Sequence, residues 1–194
     1  SLEVPVRENL HEVAKALDKS IREVTVVILD RPRHQQLIEE VRSTGCRIKL
    51  ISDGDVSPAV AAAYEDSGVD VLLGIGGAPE GVISAAALRC MGGDFQGRLW
   101  PEDESDVERA KSMGINDINR ILTIDDLIKT EDVFFSATGI TDGDLLRGVR
   151  YFSGKAVTHT LVMRGLSGTI RYIQATHQLD KKPLFKDNKI RVRL

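Results

Sequence analysis

Only two cysteines, Cys46 and Cys90, occur in the 194 residues. Both sit inside apolar stretches, at no spacing that would hold a metal, and read as reduced core thiols of a cytosolic protein. No run of about eighteen apolar residues is present, and no signal peptide is visible. The sequence therefore reads as a soluble, cytoplasmic protein with no membrane partner. No basic stripe stands out either, and a formal net charge of −3 argues against nucleic acid as a partner. The closing segment from Lys181 to Arg193 is basic, but its charges are spread along it and read as a solvated terminus. Internal repeats, low-complexity tracts, a domain linker and any Ser-His-Asp or Cys-His set are all missing. A chain of this length suits one well-buried domain and hardly two, so residues 1–194 are expected to form a single α/β domain.

What is present is organised around residues 70–87. Residues 71–75 are almost wholly apolar, as in a strand buried on both faces. Gly76 and Gly77 follow, then Pro79 at a first helical position, then an Ala-rich apolar helix from Val82 to Leu88. Strand, glycine turn and helix N-terminus leave backbone N–H groups free to meet an anion. Glu80 sits in that first turn. Two readings stand for it: an acid favoured by the helix dipole, or a metal or catalytic carboxylate at the carboxyl end of a strand.

The preceding residues repeat the same unit. Leu10, Val13, Ala14 and Leu17 recur at helical spacing, so a helix runs from about Arg7 to Lys19. Residues 24–29 are a β-branched strand ending in Asp30-Arg31-Pro32-Arg33-His34. Leu37, Ile38 and Val41 mark a helix that stops near Gly45. A strand over residues 47–51 is closed by Ser52-Asp53-Gly54-Asp55. Pro58 opens a third helix reaching about Asp66, and Gly68 ends it. Alternating strands and helices with short connections predict right-handed parallel βα units in three α/β/α layers. The three strand ends should then converge on one edge of the sheet, where open α/β folds bind ligands.

Beyond Met91 the pattern changes. Residues 95–100 predict a strand and residues 102–112 a charged, exposed helix. Thr123 is expected to cap a short helix with Asp126 at the capping-box position. Residues 133–137 predict a buried strand. Residues 157–163 and 169–175 alternate as an antiparallel pair joined by a turn over 164–168. The pattern therefore ends as a mixed or antiparallel segment.

Arg31 and Arg33 flank a proline, so a rigid turn presents two guanidinium groups at fixed spacing, which suits a phosphorylated ligand. The alternative is an exposed turn ion-paired with Glu39 or Glu40. Asp53-Gly54-Asp55 offers two carboxylates on a tight turn, able to bind a divalent cation or sugar hydroxyls; equally, it is an Asx-type turn whose first Asp, Asp53, caps the next helix. His34 is expected as a surface residue of a helix's first turn, with assistance to phosphate binding as its alternative. His11, His159 and His177 have no partner at metal spacing and read as structural. Gly74, Gly76 and Gly77 form only part of a dinucleotide fingerprint.

Residues 29–34 (LDRPRH), 51–56 (ISDGDV), 74–87 (GIGGAPEGVISAAA) and 135–141 (FSATGIT) together resemble class II fructose-1,6-bisphosphatase, the GlpX type. The resemblance covers about residues 4–183. It implies the lithium-sensitive sugar-phosphatase fold, layered α-β-α-β-α. It also implies Mg2+- or Mn2+-dependent hydrolysis of the 1-phosphate of fructose 1,6-bisphosphate, a step of gluconeogenesis. Cyanobacterial members of that family also take sedoheptulose 1,7-bisphosphate. By the same resemblance Arg31, Pro32 and Arg33 line the substrate phosphate site, Asp53, Gly54 and Asp55 contact the sugar, Gly77 contacts substrate, and Glu80 is a metal carboxylate. A homo-oligomer, dimer or tetramer, is implied too. In the family a long N-terminal segment with further metal carboxylates precedes the matching part, and nothing in this sequence matches it. One carboxylate is too few ligands to hold a divalent ion that activates water. A phosphosugar-binding or assembly module without catalysis is therefore the alternative expectation.

Overall fold

The computed structural model describes residues 1–64 and 67–182. Its first half is a three-stranded parallel sheet in the order β2-β1-β3, formed by β1 (Thr25–Leu29), β2 (Arg47–Ile51) and β3 (Val71–Leu72). The β-branched run at β1 takes the central place, with Val26, Val27 and Ile28 wholly buried. Complete burial of such a side chain contributes about 1.5–3 kcal/mol, which a strand at the edge of the sheet could not collect on both faces. Alternation then sorts the faces. Val26 and Ile28 pack with Leu10 and Ala14 of α1 (Val6–Ala16) and with Ile38 and Val41 of α2 (Gln35–Thr44). Val27 packs on the opposite face with Ala61 of α3 (Val56–Ala61). The sheet is thus covered on both sides, as the βα pattern predicts.

Several boundaries differ from expectation, among them the strand expected over residues 95–100, which is only Gln96–Gly97. The third helix starts at Val56 rather than Pro58, because a proline in the first turn removes an N–H that has no helical partner there. It ends at Ala61; Glu65 and Asp66, at its expected end, lie outside the described residues, as does everything from residue 183 onward, including most of the basic tail. The strand expected over residues 71–75 is only two residues long. Leu73 still donates to Val27 O (3.1 Å), but the backbone turns away at Gly74, for reasons that belong to the site.

The second half stacks on the first through α4 (Ala78–Met91). Ala87 and Cys90 of this helix share a core with Val60 of α3 and with Phe135, Leu161 and Met163 of a second sheet. That sheet is built on β8 (Lys155–Arg164), with which β6 (Phe134–Thr138), β7 (Arg150–Phe152) and β9 (Thr169–Gln178) each pair antiparallel. The order of layers is helices, parallel sheet, helices, antiparallel sheet. The expected hairpin is present and longer than its alternating core. The strand expected to be buried at residues 133–137 is buried on one face only, with Phe134 exposed beneath the Arg164 guanidinium, 5.0 Å from the ring centroid. Between α4 and the second sheet lie β4 (Gln96–Gly97), α5 (Glu104–Ser112), β5 (Leu122–Thr123) and α6 (Ile124–Leu127). The capping box holds: the Thr123 N–H and hydroxyl both donate to Asp126 Oδ2, at 2.9 and 3.0 Å. Both cysteines are free and buried. Among the described residues no helix is long and apolar enough to cross a membrane.

Candidate active site

At the end of β1 the chain leaves through Asp30 and Arg31 into a 3-10 turn, Pro32–His34, with Pro32 at its first position. The fixed φ of proline suits the first position of such a turn, whose N–H has no helical partner. Arg31 and Arg33 are exposed on either side of it. Glu39 and Glu40 do not pair with them; they accept instead from Gln35 (3.0 Å) and Gln36 (3.1 Å) one helical turn away. The expected alternative of an ion-paired surface turn is therefore not what these residues form.

His34 departs furthest from expectation. It is 1% exposed, not a surface residue. The signal was present in the spacing: His34, Ile38 and Val41 fall at i, i+4 and i+7, one face of the helix, and all three are buried. A polar ring buried this deeply needs partners for both nitrogens. Nδ1 lies 2.7 Å from Leu29 O and Nε2 lies 2.8 Å from the Ile75 N–H. A carbonyl only accepts and an amide N–H only donates, so Nδ1 carries the proton and Nε2 its lone pair.

This ring terminates β3. The N–H of Ile75 is drawn to His34 and its carbonyl to Arg33, whose Nε and Nη2 both donate to it, at 3.2 and 2.8 Å. Two adjacent residues of one turn thus satisfy both backbone groups of Ile75 in place of a sheet partner. Gly74 permits the bend. Its φ of +153° lies where L side chains rarely go, and a Cβ there would stand 3.3 Å from His34 Cε1 and Nε2.

The loop then passes beside the end of β2. A Cβ on Gly76 would collide with Asp55 Oδ2, so the second carboxylate of the Asp53-Gly54-Asp55 turn lies directly against the glycine loop. The N-cap position of α3 is taken by Asp55, which makes no side-chain cap bond, and not by the first aspartate, Asp53, which lies two residues earlier; the capping alternative expected for Asp53 is not realised. Asp53 is exposed at the tip of the turn. Gly77 is the N-cap residue of α4, and the Glu80 carboxylate folds back over it closely enough to leave no room for a Cβ. Glu80 is exposed, with no hydrogen-bond or ion-pair partner among the described residues.

All the residues singled out by sequence, Arg31, Pro32, Arg33, Asp53, Gly54, Asp55, Gly77 and Glu80, lie at the carboxyl ends of three adjacent parallel strands. Direct contact links Arg33 to the Ile75 loop, Asp55 to Gly76, and Glu80 to Gly77. Cationic groups on one strand end, carboxylates on the next, and a glycine loop with a helix N-terminus on the third can receive a hydroxylated, phosphorylated anion.

Sequence comparison agrees with the motifs that meet here. The family model of bacterial, glpX-encoded fructose-1,6-bisphosphatase matches residues 1–177, nine-tenths of the chain. The chain belongs to that family. A D-fructose 1,6-bisphosphatase class 2/sedoheptulose 1,7-bisphosphatase of Synechococcus sp. (strain JA-3-3Ab) is 45% identical over 191 residues, covering 92% of this chain and 55% of that protein. The protein of the same name from Synechococcus elongatus (strain ATCC 33912 / PCC 7942 / FACHB-805) is 45% identical over 185 residues, 89% of this chain and 54% of the relative. The chain spans about half the length of the curated relatives it matches.

In this member of the glpX-type fructose-1,6-bisphosphatase family, residues 135–141 run along β6 into a loop that packs against β2 and the first turn of α3. Lys49 of β2 pairs with Asp144 at 2.5 Å, and Gly143 approaches Ser57 in the first turn of α3. Asp142 braces the loop, accepting from the Gly148 N–H (2.9 Å) and from Arg150 (2.7 Å). The Gly148 bond, aided by the Arg150 charge, holds the Asp142 carboxyl below its ordinary range. The donor set for a divalent cation is thin: among the described residues no group of three or more His, Cys, Asp or Glu side chains could hold a metal ion. Glu80 alone does not make such a site.

Proposed function

We propose that this chain forms the substrate-side part of a class II fructose-1,6-bisphosphatase. The reaction would hydrolyse the 1-phosphate of fructose 1,6-bisphosphate to fructose 6-phosphate and inorganic phosphate. The convergence of three motifs on the carboxyl edge of one parallel sheet carries the reading. Arg31 and Arg33, set by Pro32, would bind phosphate oxygens through charge-assisted hydrogen bonds. Asp53 and Asp55, spaced by Gly54, would accept from sugar hydroxyls. Gly77 would let the substrate approach the backbone at the start of α4, where N–H groups face outward without helical partners. Glu80 would contribute one carboxylate toward Mg2+ or Mn2+. Since the described residues do not complete a metal site, the reading requires further carboxylates from elsewhere.

The layered architecture supports the same reading at the level of fold. Helices, parallel sheet, helices and antiparallel sheet follow one another in the order that the lithium-sensitive sugar phosphatases use, within what we take as one α/β domain. The outer face of the last sheet exposes Phe134, Tyr151 and Ile173, as a face does that a further layer covers. A homo-oligomer and a cytoplasmic location accord with a metabolic phosphatase of this family.

One observation favours a second reading. The thin carboxylate set suits a phosphosugar-binding or assembly module that does not turn over. Phosphate release with Mg2+ or Mn2+, run beside calorimetric titration of fructose 1,6-bisphosphate, separates the two. Metal-dependent release establishes the phosphatase. Binding without release establishes the module, and neither binding nor release removes both. The intact mass of the purified protein, against the 21.3 kDa of this chain, tells which polypeptide is being assayed.

A further inference from the structure

We infer that His34 is a positioning residue for this site: its imidazole sets the place of the loop 74–77, and with it Gly77 and the start of α4, without touching substrate. The inference rests on the proposed function, because it gives that loop a task.

The geometry leaves the ring one arrangement. His34 bridges β1 and the loop, with Nδ1 against Leu29 O at 2.7 Å and Nε2 against the Ile75 N–H at 2.8 Å. A ring carrying its proton on Nε2, or on both nitrogens, has no lone pair to offer Ile75. The side chain is 1% exposed, so a broken bond would not be replaced readily by water. Gly74 closes the other side, since a Cβ there would press on Cε1 and Nε2 at 3.3 Å. Position is thus transmitted from the rigid central strand to the glycine loop through one side chain. Arg33 holds the Ile75 carbonyl as well, but from an exposed side chain whose bonds water can replace; the buried bond of His34 has no such substitute.

The bond lengths suggest two substitutions of different reach. In His34→Asn the side-chain amide can still donate to Leu29 O, but it stops short of Ile75. In His34→Gln the side-chain oxygen reaches the former place of Nε2 and can accept from Ile75. Gly74→Ala perturbs the same contact while leaving His34 in place, and it serves should the histidine variants fail to fold. The complete protein is used throughout, with two readouts: amide hydrogen exchange at Ile75, Gly76 and Gly77 relative to β1, and KM against kcat for fructose 1,6-bisphosphate.

In His34→Asn and Gly74→Ala we expect faster exchange at Ile75–Gly77 with β1 still protected, and a KM raised about tenfold or more, the scale on which small displacements of a positioned group act. His34→Gln should recover much of both. Faster exchange with KM and kcat unchanged would show that the loop's position does not matter to the site. A changed KM with unaltered exchange would show that His34 acts by another route. Either result overturns the inference. If the wild-type protein neither binds nor hydrolyses fructose 1,6-bisphosphate, the proposed function fails on its own, and the exchange arm still decides whether His34 holds the loop.

Discussion

The guanidinium of Arg33 grips the carbonyl of Ile75 with two donors, Nε at 3.2 Å and Nη2 at 2.8 Å. Three of its five N–H donors remain for a ligand. A residue expected from sequence to bind phosphate therefore also ties the first strand end to the third.

Arg33→Ala removes this tie together with the proposed phosphate contact and should weaken phosphosugar binding by about 1.5–3 kcal/mol, the range for a charge-assisted hydrogen bond. Arg33→Lys keeps the charge and loses the planar two-donor grip, so it should recover only part of the binding. Steady-state kinetics on both variants checks this. Unchanged KM and kcat in the alanine variant would remove Arg33 from the site.

How far the site was legible in sequence follows from the same residues. Arg31 and Arg33 follow a β-branched strand, Asp53 and Asp55 a strand in which charged and apolar residues mix, and Glu80 an apolar one; with each strand recognisable, parallel topology places all five residues on one sheet edge. His34 could not be placed by residue type, since polarity suggested the surface. Its periodicity with Ile38 and Val41 pointed inward, and burial with two satisfied nitrogens outweighed polarity. The length of β3 is not legible in sequence, because Leu73 and Ile75 continue the apolar run and only a partner 41 residues away shows that Ile75 leaves the sheet. The short strands β4, β5 and β7 have two or three residues each, too few to carry a periodicity.

Gly76→Ala tests the contact between the second and third strand ends. The backbone of Gly76 is not in the left-handed region, and the atom its Cβ would meet is the far end of the Asp55 side chain. Asp55 can rotate away, so the stability change should stay within about 0.5 kcal/mol. Rotation would move the carboxylate from its place over the loop. The expected result is an unchanged melting temperature with a raised KM. An unchanged KM would mean that Asp55 does not contact the sugar, and a large loss of stability would mean that the loop is tighter than the contact implies.

Acid should loosen the loop after β6. Gly148 N–H, and then Arg150, favour the charged form of Asp142, so its folded pKa lies below the ordinary 3.8. A group depressed on folding contributes stability that is present in full above its unfolded value and is lost as pH falls through the folded one. Hydrogen exchange at Gly148 should therefore be insensitive to this group above about pH 5 and should rise, relative to a model peptide, below pH 3.8. Asp142→Asn should remove that pH dependence. A variant that retains it would place the titration elsewhere.

Glu80→Gln separates the two readings that the sequence left open for this carboxylate. The side chain is exposed and has no bonded partner among the described residues, so its contribution to folding is limited to its charge at the start of α4. Such a first-turn acid is worth about 0.3–1 kcal/mol. In a chain of this size that shifts the melting temperature by at most about 2–4 °C. If Glu80 instead supplies an oxygen to a divalent cation, the amide substitution removes the negative charge that binds the ion while keeping the side chain's shape. Most activity in the complete protein should then be lost, and more Mg2+ or Mn2+ should be needed to reach half of what remains. Thermal melting and a metal titration of phosphate release, run on the same preparation, decide the matter. Retained activity with a lowered melting temperature would assign Glu80 to the helix dipole. Lost activity with a melting temperature inside that window would assign it to the metal.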